Sequence, residues 1–153
     1  MRVPSGLRVP GYTDVDPDGA DWWCFDVPPG WREWTDRPLV EVCAFQWRAA
    51  HEATLRTVER LGLDYHRVRF EDVVGTSSER RAALEALVSW IGLDAADAAA
   101  LARRDLPVVM ATAPPRPGRW RQRTALIEPV VTDGQTLGLA TRLGYGADLA
   151  TWR

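Results

Sequence analysis

At 153 residues, with 46% hydrophobic and 26% charged side chains and a formal net charge of −2, the chain has the makeup of one globular domain with a sizeable core. No apolar run approaches the roughly 20 residues needed to cross a bilayer, and a near-neutral balance sets up no general field for nucleic acid or membrane surfaces. All 19 basic residues are arginine, so chemistry that needs an ammonium is excluded, and anions must be met by guanidinium forks or backbone amides.

The opening residues, MRVPSGLRVPGYTD, have no apolar signal core, so no secretory leader is expected. Cys24 and Cys43 show neither metal spacing nor a CxxC pair, and read as reduced thiols of a cytoplasmic protein. Residues 1–37 form an irregular, Trp- and Pro-rich lead-in and loop. RVPSG and RVPG recur once within it, too briefly for a repeat architecture. Residues 21–37 carry four of the eight tryptophans, and Pro28-Pro29-Gly30 turns the chain between two aromatic clusters.

A helix is predicted next, from an N-cap at Asp36 through Pro38 to a stop at Gly62. Leu39, Val42, Cys43, Gln46, Trp47, Ala50, Val58 and Leu61 repeat at helical period along it. From Tyr65 to Phe70 the period becomes two. His66, Val68 and Phe70 share one face of a predicted strand; Tyr65, Arg67 and Arg69 share the other. Glu71 and Asp72 follow at the strand end. Thr76 with Glu79 spells a capping box for a helix through Ile91, with a core stripe of Leu84, Leu87, Val88 and Ile91. Asp94 caps a short Ala-rich helix to about Arg103. Residues 104–119 are proline-rich loop around Val108-Val109-Met110. Trp120–Glu128 suggests a helical turn, and Thr132 or Asp133 starts a last helix through Leu143, stopped by Gly144. A lone strand cannot satisfy its own backbone. Its neighbours are therefore expected from Val108–Ala111, from Ile127–Val131, or from another chain.

Several of these stretches are similar to motifs of the PAPS-dependent sulfotransferases, which move a sulfuryl group from 3′-phosphoadenosine 5′-phosphosulfate (PAPS) to an acceptor hydroxyl or amine. Val68-Arg69-Phe70-Glu71-Asp72-Val73 resembles that family's Arg-Tyr-Glu-Asp-Leu strand end. Val88-Ser89-Trp90-Ile91-Gly92-Leu93 resembles its Phe-Leu-Gly-Leu helix end. Cys43-Ala44-Phe45-Gln46-Trp47, Gly118-Arg119-Trp120-Arg121 and Leu143-Gly144-Tyr145 resemble its Trp-bearing helix, its Gly-Arg-Trp loop and its closing motif. The likeness runs in order from about residue 39 to 146 and touches only the family's C-terminal half. The Lys-bearing phosphosulfate loop and the catalytic base have no counterpart, so no catalytic residue is assigned. Nor is any metal ligand.

The resemblance implies an α/β fold: the C-terminal portion of a P-loop-like three-layer sulfotransferase, helix-rich with few strands, over residues 38–153. It implies PAPS as cofactor, with Phe70 as an adenine-side wall and Arg116, Gly118 and Arg119 near the 3′-phosphate. The family's Arg-Lys-Gly triplet falls here on Ala113-Pro114-Pro115, a departure that leaves Arg116 and Arg119 as the nearest forks. Trp22, Trp23, Trp31 and Trp34 would help enclose a small-molecule acceptor, or simply pack their loop onto the domain. Glu71 and Asp72 read either as an acid–base pair or as turn caps and partners of Arg69. His66 reads as a sheet residue or a base.

Three functions follow. The chain is a truncated or split sulfotransferase, inactive alone and completed by an N-terminal chain or a homo-oligomer. Alternatively it is a non-catalytic interaction module that keeps the half-fold, or a small enzyme built on Glu71, Asp72 and His66.

Overall fold

The computed structural model describes residues 3–4, 22–23, 26–35, 37–103 and 116–152. Among these, six α-helices follow in order: α1 (Leu39–Leu61), α2 (Phe70–Val74), α3 (Ser77–Ile91), α4 (Ala95–Ala102), α5 (Thr124–Val131) and α6 (Gly134–Arg142). Extended pairing among the described residues is confined to β1 (Val3–Pro4) and β2 (Trp22–Trp23), antiparallel with Val3 opposite Trp23.

The α/β expectation is therefore overturned: the described residues are mainly helical and build no three-layer sheet fold, and the predicted strand at Tyr65–Phe70 does not form. Residues 63–69 run without regular structure, and Phe70 opens α2. A strand needs neighbours for its amides and carbonyls. Of the two neighbours proposed within the chain, Ile127–Val131 lies inside α5, and Val108–Ala111 lies outside the described residues. Local chemistry favours the helical turn instead. Glu71 and Asp72 fall in its first turn, where carboxylates meet the positive end of the helix dipole. Arg69 Nε and a terminal guanidinium nitrogen donate to the two Asp72 carboxylate oxygens at 2.8 and 2.9 Å, closing the turn with a fork.

The chain divides into two compact units, residues 1–62 with 123–151 and residues 63–122 with 152–153. In the first, α1 packs against α5 and α6. Its stripe is not continuous. Val42 is fully buried beside Trp31, with Trp34, Leu39 and Phe45 around them. Leu55 is buried in a separate cluster with Leu139 and Leu143, flanked by Trp47 and Tyr145. Thirteen residues turn a helix through about 220° beyond whole turns, so the two ends of α1 bury different faces. A single stripe cannot do this, and Cys43, Ala50 and Leu61 are exposed. Asp36 lies outside the described residues, and Pro38 takes the N-cap position.

In the second unit α2, α3 and α4 follow one another in contact. The Thr76–Glu79 capping box forms in full: the Glu79 amide donates to Thr76 Oγ1, and the Thr76 amide donates to the Glu79 carboxylate at 2.8 Å. Asp94 caps α4 by accepting from the Ala96 and Asp97 amides. Val88 is the buried centre of the α3 stripe, whereas Ile91 is 56% exposed beyond it.

Candidate functional site

The segment from Arg116 to Gln122 is built as a turn. Gly118 sits at φ +70°, a left-handed conformation that costs a side-chain-bearing residue about 1 kcal/mol or more. The turn leads into a 3-10 helix at Arg119–Arg123, where the Arg121 amide donates to the Gly118 carbonyl at 3.1 Å. The arginines then divide in role. The Arg121 guanidinium lies over the Trp120 ring, 5.0 Å from its centroid, and donates to the Trp152 carbonyl. Trp120 and Trp152 meet edge to face at 6.4 Å and 71°. Arg116 and Arg119 are exposed, and neither hydrogen-bonds nor pairs with a described carboxylate.

Phe70 belongs to the same unit as this turn and is 57% exposed. No described ring contact covers its faces. The tryptophans assigned to an acceptor wall lie in the other unit. Trp31 is 7% exposed within a core cluster, with Arg32 stacked over its ring at 4.6 Å. Trp34 stacks on Phe45 at 4.6 Å with the rings 8° from parallel. Both contacts are those of a packed loop, and the Gln46 side-chain amide donates to the Asp26 carbonyl to tether the same loop. Trp22 and Trp23 form β2.

The alternative catalytic trio is occupied otherwise. His66 stacks on Trp90 at 5.7 Å. Asp72 is clasped by Arg69 with both side chains partly exposed, which is the partnership weighed against acid–base work. Glu71 also makes an interaction of its own. No group of three His, Cys, Asp or Glu side chains among the described residues is arranged to hold a metal.

One polar constellation goes beyond the sequence pattern, which offers Asp133 only as a possible helix start. Arg48 on α1 donates to Asp133 at 3.0 Å and to Thr136 Oγ1 at 2.8 Å. Asp133 is the N-cap of α6 and accepts from the Thr136 amide at 3.2 Å. That amide bond, followed by the Thr136 hydroxyl and the Arg48 charge, holds the Asp133 carboxyl below the ordinary aspartate range despite some desolvation. Its members are 85 and 88 residues apart, so periodicity could not reveal them. This cluster joins α1 to the N-terminal end of α6.

No helix among the described residues is long and apolar enough to cross a membrane. Compared with known protein families, curated proteins and solved structures, the chain matches none.

Proposed function

We propose that this chain is a nucleotide-holding portion of a PAPS-dependent sulfotransferase-type protein, catalytically silent by itself. The observation that carries the reading is the turn at 116–119: two exposed arginines without a described carboxylate partner flank a glycine held at positive φ. Guanidinium forks of this kind suit phosphate oxygens, and a glycine lets the backbone come close to them. The donor set therefore fits the 3′-phosphate end of PAPS. Phe70 offers a largely exposed ring for adenine. An acceptor hydroxyl or amine, and the residues that act on the sulfuryl group, come in this reading from a complementing N-terminal chain or a further copy.

Calorimetric titration with 3′-phosphoadenosine 5′-phosphate (PAP) tests it. Millimolar or tighter binding is expected, weakened about tenfold or more by Arg119→Ala. No heat at millimolar PAP would end the reading.

A second reading, a non-catalytic interaction module, is favoured by a separate observation. Leu63, Tyr65, Val68 and Phe70 are all exposed along one segment, as are Trp90, Ile91 and Leu93 at the end of α3. Under it the partner is a polypeptide. The expected results are a complex or a concentration-dependent mass by light scattering and silence toward PAP. A concentration-independent monomer that captures no partner would remove it.

A further inference from the structure

The proposed nucleotide site leaves Arg121 and Trp152 without a role, although both converge on its turn. We infer that Trp152 is a positioning residue for the anion-binding turn, acting through Arg121 and Trp120 without touching the nucleotide. This inference rests on the reading of residues 116–119 as a phosphate site.

The geometry has three parts. The Trp152 backbone carbonyl accepts from the Arg121 guanidinium, so that charge is directed toward the chain's own backbone. The Trp152 ring meets Trp120 edge to face. Arg121 in turn covers the Trp120 ring, and the Arg121 amide closes the turn on Gly118. Thus the residue between Arg119 and Arg121 is fixed on two sides, and both fixings pass through Trp152 or the arginine that it holds. Trp120 Nε1 is shielded from solvent and has no hydrogen-bond partner among the described residues, so the ring is held by its faces and edge alone.

The consequence is division of labour among like residues. In a phosphate site every arginine is a candidate ligand. Here Arg121 is committed to a strut, and Arg116 and Arg119 remain to meet the anion. Two forks on a seven-residue turn bind well only if the turn is ordered beforehand, since ordering it during binding subtracts from affinity. An edge-to-face contact across thirty-odd residues of chain, with a charged hydrogen bond beside it, supplies that order.

Salt-dependent PAP titration of the full chain and three variants tests the inference. Trp152→Ala is expected to weaken PAP binding about threefold to tenfold, the loss an aromatic contact of this type carries. It removes no charge, so the slope of affinity against salt should match that of the native chain. The backbone carbonyl that holds Arg121 is present in every variant, so Trp152→Phe, which restores a ring edge, should recover most of the affinity. Arg119→Ala should weaken binding and also flatten the salt slope, because it removes a charge that faces the anion. Native-like affinity in Trp152→Ala, with Arg119→Ala impaired, would overturn the positioning role and leave the nucleotide site standing. A flattened slope in Trp152→Ala, or no rescue by Phe, would also overturn it. Absence of PAP binding by the native chain would overturn both.

Discussion

The Arg48–Asp133–Thr136 cluster gives the sharpest stability prediction, because its geometry sets both the size of the effect and its limits. Arg48→Ala removes two hydrogen bonds and a side chain that is only 15% exposed. The bond to Asp133 is charge-assisted, but the Asp133 side chain is 47% exposed, so solvent screening reduces the pair to about 1 kcal/mol or less. The bond to Thr136 Oγ1 ends on a residue 3% exposed and contributes about 1 kcal/mol. Losing the packed arginine stem adds roughly 0.5 kcal/mol. The sum is about 2 kcal/mol, below a full buried-pair penalty. Asp133 keeps its cap bond to the Thr136 amide, and Thr136 keeps its bond to the carboxylate, so no group is orphaned.

Urea unfolding followed by far-UV circular dichroism measures this. With a slope near 2 kcal/mol per molar, the midpoint should fall by about 1 M. Arg56→Ala is the control. Arg56 pairs with Glu52 at 3.3 Å on the surface of the same helix and is 68% exposed, so its removal should cost below about 0.5 kcal/mol. Arg48→Met keeps most of the stem and should recover about a quarter of the loss. If Arg48→Ala and Arg56→Ala move the midpoint equally, the cluster does not hold α1 to α6 and the energetic reasoning fails.

Asp133 also predicts an acid limb. Its folded-state carboxyl titrates below the ordinary value near 3.9, so the stability it contributes is present above that value and is lost as pH falls through the lower folded-state value. Asp133→Asn should therefore be destabilised at neutral pH, and the gap to the native chain should close below about pH 4 in thermal melts. Thr76→Ala breaks the capping box of α3 and should lower stability by about 1 kcal/mol in the same urea assay; an unchanged midpoint would show that α3 needs no cap. Cys43 is exposed as a residue but partly desolvated at its thiol, which raises the thiol pKa, so with Cys24 replaced by Ser it should react with a disulfide reagent at pH 8 more slowly than a free thiol; equal rates would contradict that environment.

Local signals carried the helices, and non-local ones failed. Thr76 with Glu79, and Asp94, are legible as caps because each bonds within three residues of itself, and of the two starts open for the last helix, Thr132 or Asp133, it is Asp133 that caps α6. Gly62 and Gly144 are legible as stops because each takes a left-handed conformation after its helix. The segment Ile127–Val131 misleads, since its three β-branched residues suit a strand although Glu128 and Pro129 interrupt them. It folds as α5, with Pro129 accommodated inside. The arginine turn was legible in its residue types. The commitment of Arg121 to Trp152 was not, because the two meet across 31 residues.

Residues 64–72 show why alternation is weaker evidence than a cap. A capping box completes itself, whereas a strand is a statement about neighbours that must lie alongside it. Where the described chain supplies none, the next strongest local preference takes over. Two carboxylates at a helix start and a fork from Arg69 favour one turn of helix. The same sequence carries a second prediction in this light. Asp72→Asn removes the fork's charge and one of the two carboxylates that face the helix dipole, so α2 should lose most of its helix while α3, with its own cap, keeps its structure. Amide hydrogen exchange distinguishes the two. Faster exchange confined to residues 70–75 is the expected result. Protection unchanged at 70–75 would show that packing of α2 against α3, not the Arg69–Asp72 clasp, decides between helix and strand there.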